Sequence, residues 1–415
     1  MSTAASLESL TVRTVELAAA TVPDLMAVLP PTAPLAWIQH GEGLVGWGEA
    51  ARFTVSGPDR FQRAVAWWQS LGLSPELHAG LGIPGSGPVV FGSFAFADSP
   101  TPSVLVLPRV LLGRRSGRTW LTTIGEPDEV MIAPTPLPRP PADVVIGEGA
   151  LSEDAWAAAV TIAVTRIRNG DLSKVVLARD LLGRAREPVD VRYLVRDLAD
   201  RFPECFTFSV AGLVGATPEL LIAREGRRVS SRVLAGTAWH AEGDGVTDAA
   251  VAARLTGSDK DREEHDYAAR SAAELLRPFC SRLSVPDEPT VMALPNVTHL
   301  ATEVTGTLHT EIPALELAGR LHPTAAVCGT PTAAAERLIA DLEGMDRGRY
   351  AGPVGWMDVH GDGEWGIALR CAQVDGARLR LFAGCGIVAG SDPSVELAEA
   401  EAKFLAMRRA LRQDD

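Results

Sequence analysis

Hydrophobic positions along the chain follow two periods, and the switches between them mark the elements. Apolar residues at alternate positions, bounded by glycine and proline, predict strands. Leu35-Ala-Trp-Ile-Gln-His40 and Leu44-Val-Gly-Trp-Gly48 form a predicted hairpin around the glycine turn Gly41-Glu-Gly43. Val89–Phe96, Ser103–Leu107, Val110–Leu112 and Thr119–Ile124 read as further strands, the last two joined by a Gly113-Arg-Arg-Ser-Gly117 turn. Residues 1–130 thus read as strands and turns with one or two helices. Pro134-Thr-Pro-Leu-Pro-Arg-Pro-Pro141 follows as an extended linker.

Beyond the linker the period lengthens. Trp156, Val160, Ala163 and Ile167 recur at helical spacing, Ser152 can cap the start, and Asn169-Gly170 supplies a stop, which predicts a helix over 152–169. Lys174-Val-Val-Leu-Ala-Arg179 follows as a strand, with Lys174, Val176 and Ala178 on one face because alternate side chains point the same way. Phe206–Val210, Leu220–Ala223 and Arg228–Leu234 read as successive antiparallel strands. Helices are predicted over 261–278, 312–321 and 333–343, and strands return over 352–359, 365–374 and 377–383. A last helix runs over 393–411, with Pro393 suited to the first helical position after Asp392. Strands follow one another without a helix between each pair, so the pattern predicts α+β architecture with mainly antiparallel sheet rather than a doubly wound fold. No internal repeat is visible.

Composition narrows the function classes. The 415 residues are 46 % apolar and 22 % charged, as in an ordinary globular chain with a sizeable core. A net charge of −13 makes the protein a poor general binder of nucleic acid or anionic membrane, so an anionic ligand needs a local cationic pocket or a metal. No window reaches the ~18 apolar residues of a membrane span. The closest, residues 17–38, is interrupted by Asp24 and by Pro23, Pro30, Pro31 and Pro34. The first eight residues lack the basic region of a secretion signal, and the five cysteines are scattered with no C-x-x-C pair. Both features predict a cytoplasmic protein without a disulfide framework or zinc site. Among 39 basic residues only Lys174, Lys260 and Lys403 are lysine. Arginine cannot lose its proton near neutrality, whereas a buried lysine can be tuned to act as a base.

Several constellations are candidates for chemistry. Gly384-Cys-Gly-Ile-Val-Ala389 fits the dinucleotide fingerprint G-x-G-x-x-A. Its context contradicts that use, because the next helix starts late and no strand with a ribose-binding acid follows. Backbone N–H groups of such a turn still suit a carboxylate. Asp261, Glu264 and His265 share one helix face, and Glu396, Glu399 and Lys403 another. Alone, each set reads as a solvated, dipole-complementing face; together they offer carboxylates from two helices, enough for Mg²⁺. Glu219, directly after Pro218 at the head of an apolar strand, reads as a turn residue or as an acid; His299 reads as a core histidine or a site residue. Arg370, within the apolar run Trp365-Gly-Ile-Ala-Leu-Arg-Cys371, needs an anion, either a structural partner or a ligand carboxylate held bidentately.

Ordered blocks across residues 152–411 tie these candidates together. They are Ser173-Lys-Val-Val-Leu-Ala-Arg179, Gly215-Ala-Thr-Pro-Glu-Leu220, Leu234-Ala-Gly-Thr237 and Ser258-Asp-Lys-Asp-Arg-Glu-Glu-His265. They continue with His322-Pro-Thr-Ala-Ala-Val-Cys-Gly-Thr-Pro331, Arg349-Tyr-Ala-Gly352, Ala383-Gly-Cys-Gly-Ile-Val388 and Ser391-Asp-Pro-Ser-Val-Glu-Leu-Ala-Glu399. Through them the chain resembles the chorismate-utilising enzymes, and among these the isochorismate synthase branch. The first 140 residues carry only a trace, Phe91-Gly-Ser-Phe-Ala-Phe96.

The resemblance implies an α+β (α/β) unit of two packed, mainly antiparallel sheets flanked by helices. A strand-rich part over 1–140 would pack on a chorismate-binding catalytic region over 150–415, the two forming one structural unit. The implied reaction is water attack at C2 of chorismate with loss of the C4 hydroxyl. Lys174 falls on the general base and Glu219 on the general acid. Glu264, Glu396 and Glu399 fall on Mg²⁺-binding acids, while Asp261 falls where some relatives have Glu. Tyr350, Arg370, Gly384 and Gly386 fall on groups that hold substrate carboxylates. Gly236, Thr237, His299 and Ala326 fall on pocket positions, and Lys403 lies near substrate or metal. Lys174 and Ala235 depart from the residues that mark aminating relatives, so no amidotransferase partner is expected; relatives suggest a monomer. Salicylate synthases share Lys174 and Glu219 but tend to have Thr at the position of Ala326, which favours a reaction that stops at isochorismate over one that continues to salicylate and pyruvate. The product would feed either menaquinone or siderophore biosynthesis.

Overall fold

The computed structural model describes residues 11–412, apart from 19–20, 23, 79, 126–131, 240–247 and 295–296. The side chains at 237, 239, 248–249, 259–261, 263–264 and 294 also lie outside the described set. The described residues form two antiparallel sheets of twelve and ten strands with helices packed on them, as the α+β reading expects. No helix among them is long and apolar enough to cross a membrane.

Early and late parts of the chain share both sheets. The hairpin Leu35–Gln39 and Glu42–Trp47 enters the twelve-stranded sheet by pairing Ala36–Ile38 with Thr207–Ser209. Val89–Ser93 enters the ten-stranded sheet by pairing with Val354–Asp358. Trp37, Trp120, Trp156, Trp365, Phe91 and Phe208 are fully buried in one shared core. Large aromatics of this kind dominate core energetics through the area they remove from water.

Local rules account for the helices that flank the sheets. Ser152 caps the helix Glu153–Arg168 by accepting a hydrogen bond from the Ala155 N–H, and Trp156, Val160, Ala163 and Ile167 form its buried stripe. Gly170 ends it with φ +85°, a conformation glycine adopts without strain. Asp392 caps the last helix, Pro393–Ala410, by accepting from Ser394 and Val395.

Three departures from the sequence pattern shape the site. The predicted strand 365–374 is two strands, Gly363–Ile367 in the ten-stranded sheet and Cys371–Asp375 in the twelve-stranded one. Arg370 sits in the break between them at φ +47°, which is strained for a non-glycine residue. Second, the strand predicted to stop at Ala383 runs from Arg378 to Ile387. Gly384 and Gly386 therefore lie in a ladder opposite Ala178 and Val176, not in a turn. Third, the helix Val191–Arg201 and the long strand Val297–Leu308 go beyond the predicted elements.

Candidate active site

The chain crosses between the sheets twice at one place, and the crossings carry two of the candidates. Pro218 and Glu219 link Leu213–Thr217 of the twelve-stranded sheet to Leu220–Glu225 of the ten-stranded sheet. Leu369 and Arg370 lie on the return crossing. A hydrogen-bond ladder cannot continue through such a crossing, so side chains there are free to face the seam between the sheets. A cleft of about 380 Å³ opens at this seam.

Except for His265, all the candidates with described side chains border the cleft, together with the glycines. Lys174 opens the strand Lys174–Arg184 on one wall, and Gly384 and Gly386 lie on its neighbour. Glu219, Gly236, His299 and Arg370 come from the ten-stranded side and the crossings, and Ala326 and Tyr350 from loops. Glu396, Glu399 and Lys403 come from the last helix. The side chains of Glu264, Asp261 and Thr237 lie outside the described residues. Glu264 and Asp261 are on the helix Asp259–Leu276, and the Thr237 backbone pairs with His299. His265, beside Glu264, is committed to packing: its ring nitrogens meet the Ala235 carbonyl at 3.1 Å and the Thr302 hydroxyl at 2.7 Å. It fastens the helix to the sheet, which leaves it no free nitrogen for a cation.

Burial sets the electrostatics at one end of the cleft. Glu219 is only 7 % exposed, and desolvation pushes its carboxyl up to about 7, with Lys174 and Arg370 pulling the other way. The Lys174 charge is thus felt at Glu219 across one shared cavity. Arg370 NH2 donates to His299 Nε2 at 2.8 Å. A nitrogen that accepts from a guanidinium must carry a lone pair, so His299 stays neutral. Desolvation and the Arg370 and Lys403 charges hold its pKa well below the ordinary value, against a backbone hydrogen bond with Gly236. Arg370 NH1 is buried and has no hydrogen-bond partner among the described residues. A guanidinium that borders a cleft and keeps one N–H unmet is a candidate partner for a carboxylate. Beside it, Tyr350 stacks on Phe382 with ring centroids 5.0 Å apart, and burial raises its hydroxyl's pKa.

The last helix adds charge to the same cleft. Lys403 Nζ pairs with Glu399 at 2.7 Å and donates to the Gly384 carbonyl at 2.7 Å. Burial works against its charge, but Cys385 and Glu399 outweigh burial and its pKa is raised. Lys403 is therefore a fixed cation. On an antiparallel strand the N–H and C=O of one residue leave by the same edge. The Gly384 N–H, and that of Gly386 two residues on, thus face the edge on which Lys403 lies. These N–H groups serve an anion from a strand edge, not from the turn predicted. A Cβ at Gly384 would come within 3.1 Å of the Tyr350 hydroxyl and 3.0 Å of the Leu177 carbonyl, so the close approach requires glycine. Donor atoms of Glu396, Glu399 and Cys385 lie within 4.8 Å of one another.

Two residues outside the sequence candidates matter here, Arg347 in the cleft lining and Cys385 behind it, next to Glu396 and Glu399. Arg347 borders the cleft and forms a buried pair with Glu343 at 2.5 Å. It donates to the Val176 carbonyl at 2.7 Å and the Val327 carbonyl at 2.8 Å, while Glu343 accepts from the Ala178 N–H at 2.7 Å. The pair takes the place of a neighbouring strand along the Lys174 strand, whose pairing with Gly329–Thr330 covers only Lys174 and Val175. Its only sequence signal is an i, i+4 acid–base spacing, which solvated helices share. Cys385 is the second, visible only once its strand meets the last helix.

Comparison with known proteins places this geometry. A family model described as chorismate binding enzyme matches residues 35–412. The isochorismate synthase DhbC of Bacillus subtilis is 43 % identical over 263 residues, which span 60 % of this chain and 66 % of that protein. The salicylate biosynthesis isochorismate synthase of Pseudomonas aeruginosa is 33 % identical over 410 residues, 92 % of this chain and 85 % of that one. Among solved structures, MenF, the menaquinone-specific isochorismate synthase from Escherichia coli, superposes with a TM-score of 0.80 at 26 % identity, covering 97 % of this chain and 95 % of that one.

Proposed function

The chain belongs to the chorismate-binding enzyme family, and we infer that it is an isochorismate synthase whose acid and base share the cleft at the seam between the sheets. The observation that carries this reading is Glu219: buried, bordering the same cleft as Lys174, and with a carboxyl pushed up to about 7. A carboxylic acid that keeps its proton near neutrality can protonate a departing hydroxyl.

Chorismate is a dianion, and its carboxylates need cations in a protein of net charge −13. The Arg370 guanidinium, the Tyr350 hydroxyl and the edge N–H groups of Gly384 and Gly386 take them, with Lys403 as a fixed positive charge behind. His299 holds the Arg370 fork, and Gly236, Thr237 and Ala326 shape the pocket. The Lys174 amine takes a proton from the water that attacks C2. The ring double bond shifts, the C4–O bond breaks, and the Glu219 proton goes to the leaving oxygen, which departs as water. Proton donors and acceptors placed this way each contribute about 10²–10⁴-fold.

The donor set fits Mg²⁺, which takes one or two carboxylates and fills its shell with water and substrate oxygens. Glu396 and Glu399 would hold it, with Glu264 as the expected third acid. Burial raises the pKa of the Cys385 thiol, and a protonated thiol does not compete for a hard cation. Bound there, Mg²⁺ supplies positive charge that offsets a substrate carboxylate. Incubation with chorismate and chromatography of the products tests the reading: isochorismate should accumulate, whereas salicylate and pyruvate as main products would overturn it.

A further inference from the structure

Glu219 has a second neighbour besides the cleft. Behind it lies a cavity of about 30 Å³ under the helix Asp259–Leu276, lined in part by the partly exposed Leu275. Glu219 and Ala326 border both the cavity and the cleft. The space exists because the helix presents Ala268, Ser271 and Ala272 over the strand, where larger side chains would fill it. At about 10–15 Å³ each, two waters fit. Polar residues line the cavity: Glu219, Ser271, Ser231, whose hydroxyl donates to the Leu220 carbonyl at 3.3 Å and can still accept, and Thr324, whose Oγ1 is buried without a hydrogen-bond partner among the described residues. Arg232 is the other charged residue on the wall.

We propose that this cavity is a water port serving Glu219, taking the water formed from the substrate's C4 hydroxyl and returning a proton to the carboxylate. The proposal rests on the reading of Glu219 as the acid. In each turnover the Glu219 O–H bond breaks, an O–H bond forms on the departing oxygen, and that oxygen leaves as H₂O. Lys174 meanwhile holds a proton taken from the attacking water. Before the next turnover Glu219 must regain one proton and Lys174 must lose one, so the exchange with solvent sums to zero. The cleft side of Glu219 faces the substrate ring and the charges of Lys174 and Arg370, which oppose an arriving proton. The back cavity offers a hydroxyl-lined approach to the same carboxyl.

The test fills or dries the port without touching the cleft. Ser271→Leu fills it, Thr324→Val removes the orphaned hydroxyl at nearly constant volume, and Glu274→Leu adds a leucine to the same helix off the cavity as a control. Ser271→Leu is expected to lower kcat about tenfold and Thr324→Val about threefold, with KM within about twofold and a larger solvent deuterium isotope effect on kcat. Glu274→Leu should match the wild type in all three. Wild-type kcat in both port variants, or a lower kcat with an unchanged isotope effect, overturns the port. If Ser271→Leu does not fold, Thr324→Val alone decides by the same criteria. Glu219→Gln separates the two levels: wild-type turnover in that variant removes the acid itself, whereas loss there with unaffected port variants removes the port alone.

Discussion

A cavity of about 420 Å³ beside Trp37 and Trp356 is slightly larger than the cleft at the seam, about 380 Å³, and has as many charged residues to offer. In that larger cavity Arg115, Arg224 and Glu364 are committed to ion pairs. Arg115 pairs with Glu364 at 2.6 Å, and Trp37 Nε1 donates to the same carboxylate at 2.8 Å. Arg224 donates to the His360 carbonyl at 2.7 Å and meets Asp362 at 3.2 Å. In the cleft, Arg370 has a buried nitrogen with no described partner, His299 is held neutral, and Glu219 carries a carboxyl pushed up to about 7. Volume does not separate the two cavities, and neither do orphaned atoms, because Arg224 Nε and Trp356 Nε1 of the larger cavity are also buried without a partner among the described residues; perturbed protonation does. Charges committed to ion pairs stabilise the fold, whereas a carboxyl held near neutrality and an imidazole held neutral are available to a ligand.

Substitutions in the two cavities should therefore differ in kind. Lys174→Ala, or Lys174→Arg, is expected to lower turnover by about 10²–10⁴-fold or more with an unchanged thermal midpoint. Near-wild-type isochorismate production in either variant would take Lys174 out of the reaction. Comparable in size, removal of divalent cation with EDTA should stop turnover and Mg²⁺ should restore it; metal-independent activity would dissolve the carboxylate site. Arg370→Lys should reduce kcat/KM by about 10–100-fold, because an ammonium cannot both hold His299 and fork onto a carboxylate.

The pH response is subtler and concerns Glu219. As an acid it must be protonated, so kcat should fall as pH rises through about 7. Its folded pKa lies above its unfolded one, so the folded state binds the extra proton and stability is lost as pH rises from the ordinary carboxylate range through about 7. Glu219→Gln should therefore be inactive yet more stable than the wild type above that range. Thermal melts at pH 5 and 8 that show no such divergence would contradict the burial of a protonated Glu219. The smallest effect on activity is expected in the other cavity. Glu364→Gln weakens the Arg115 ion pair and should cost about 1 kcal/mol of stability with kcat within about twofold. A tenfold loss of kcat there would erase the contrast between the cavities.

Legibility in the sequence follows the range of the forces involved. The helix Glu153–Arg168 was readable because its cap, buried stripe and glycine stop act within a few residues. The same holds for the last helix and its Asp392 cap. The predicted single strand 365–374 was not readable as two, because the chain breaks where it must change sheets, and Trp365 to Val374 is apolar on both sides of the break. Gly384 and Gly386 suggested a turn because glycine is permissive; their pairing with Ala178 and Val176 is a long-range contact that no local pattern encodes. Arg347 and Cys385 were missed for the same reason.

The sequence by itself determined the α+β class, the family and the kinds of side chain available, since periodicity, caps and ordered motif blocks are properties of neighbouring residues. Only the tertiary structure decided that Glu219 and Arg370 stand at two sheet crossings and share a cleft with Lys174, about 45 residues or more away along the chain. It also decided which groups were left unsatisfied there. Desolvation and orphaned hydrogen-bonding groups arise from what packs around a residue, and that packing is assembled from distant segments rather than from its neighbours in sequence.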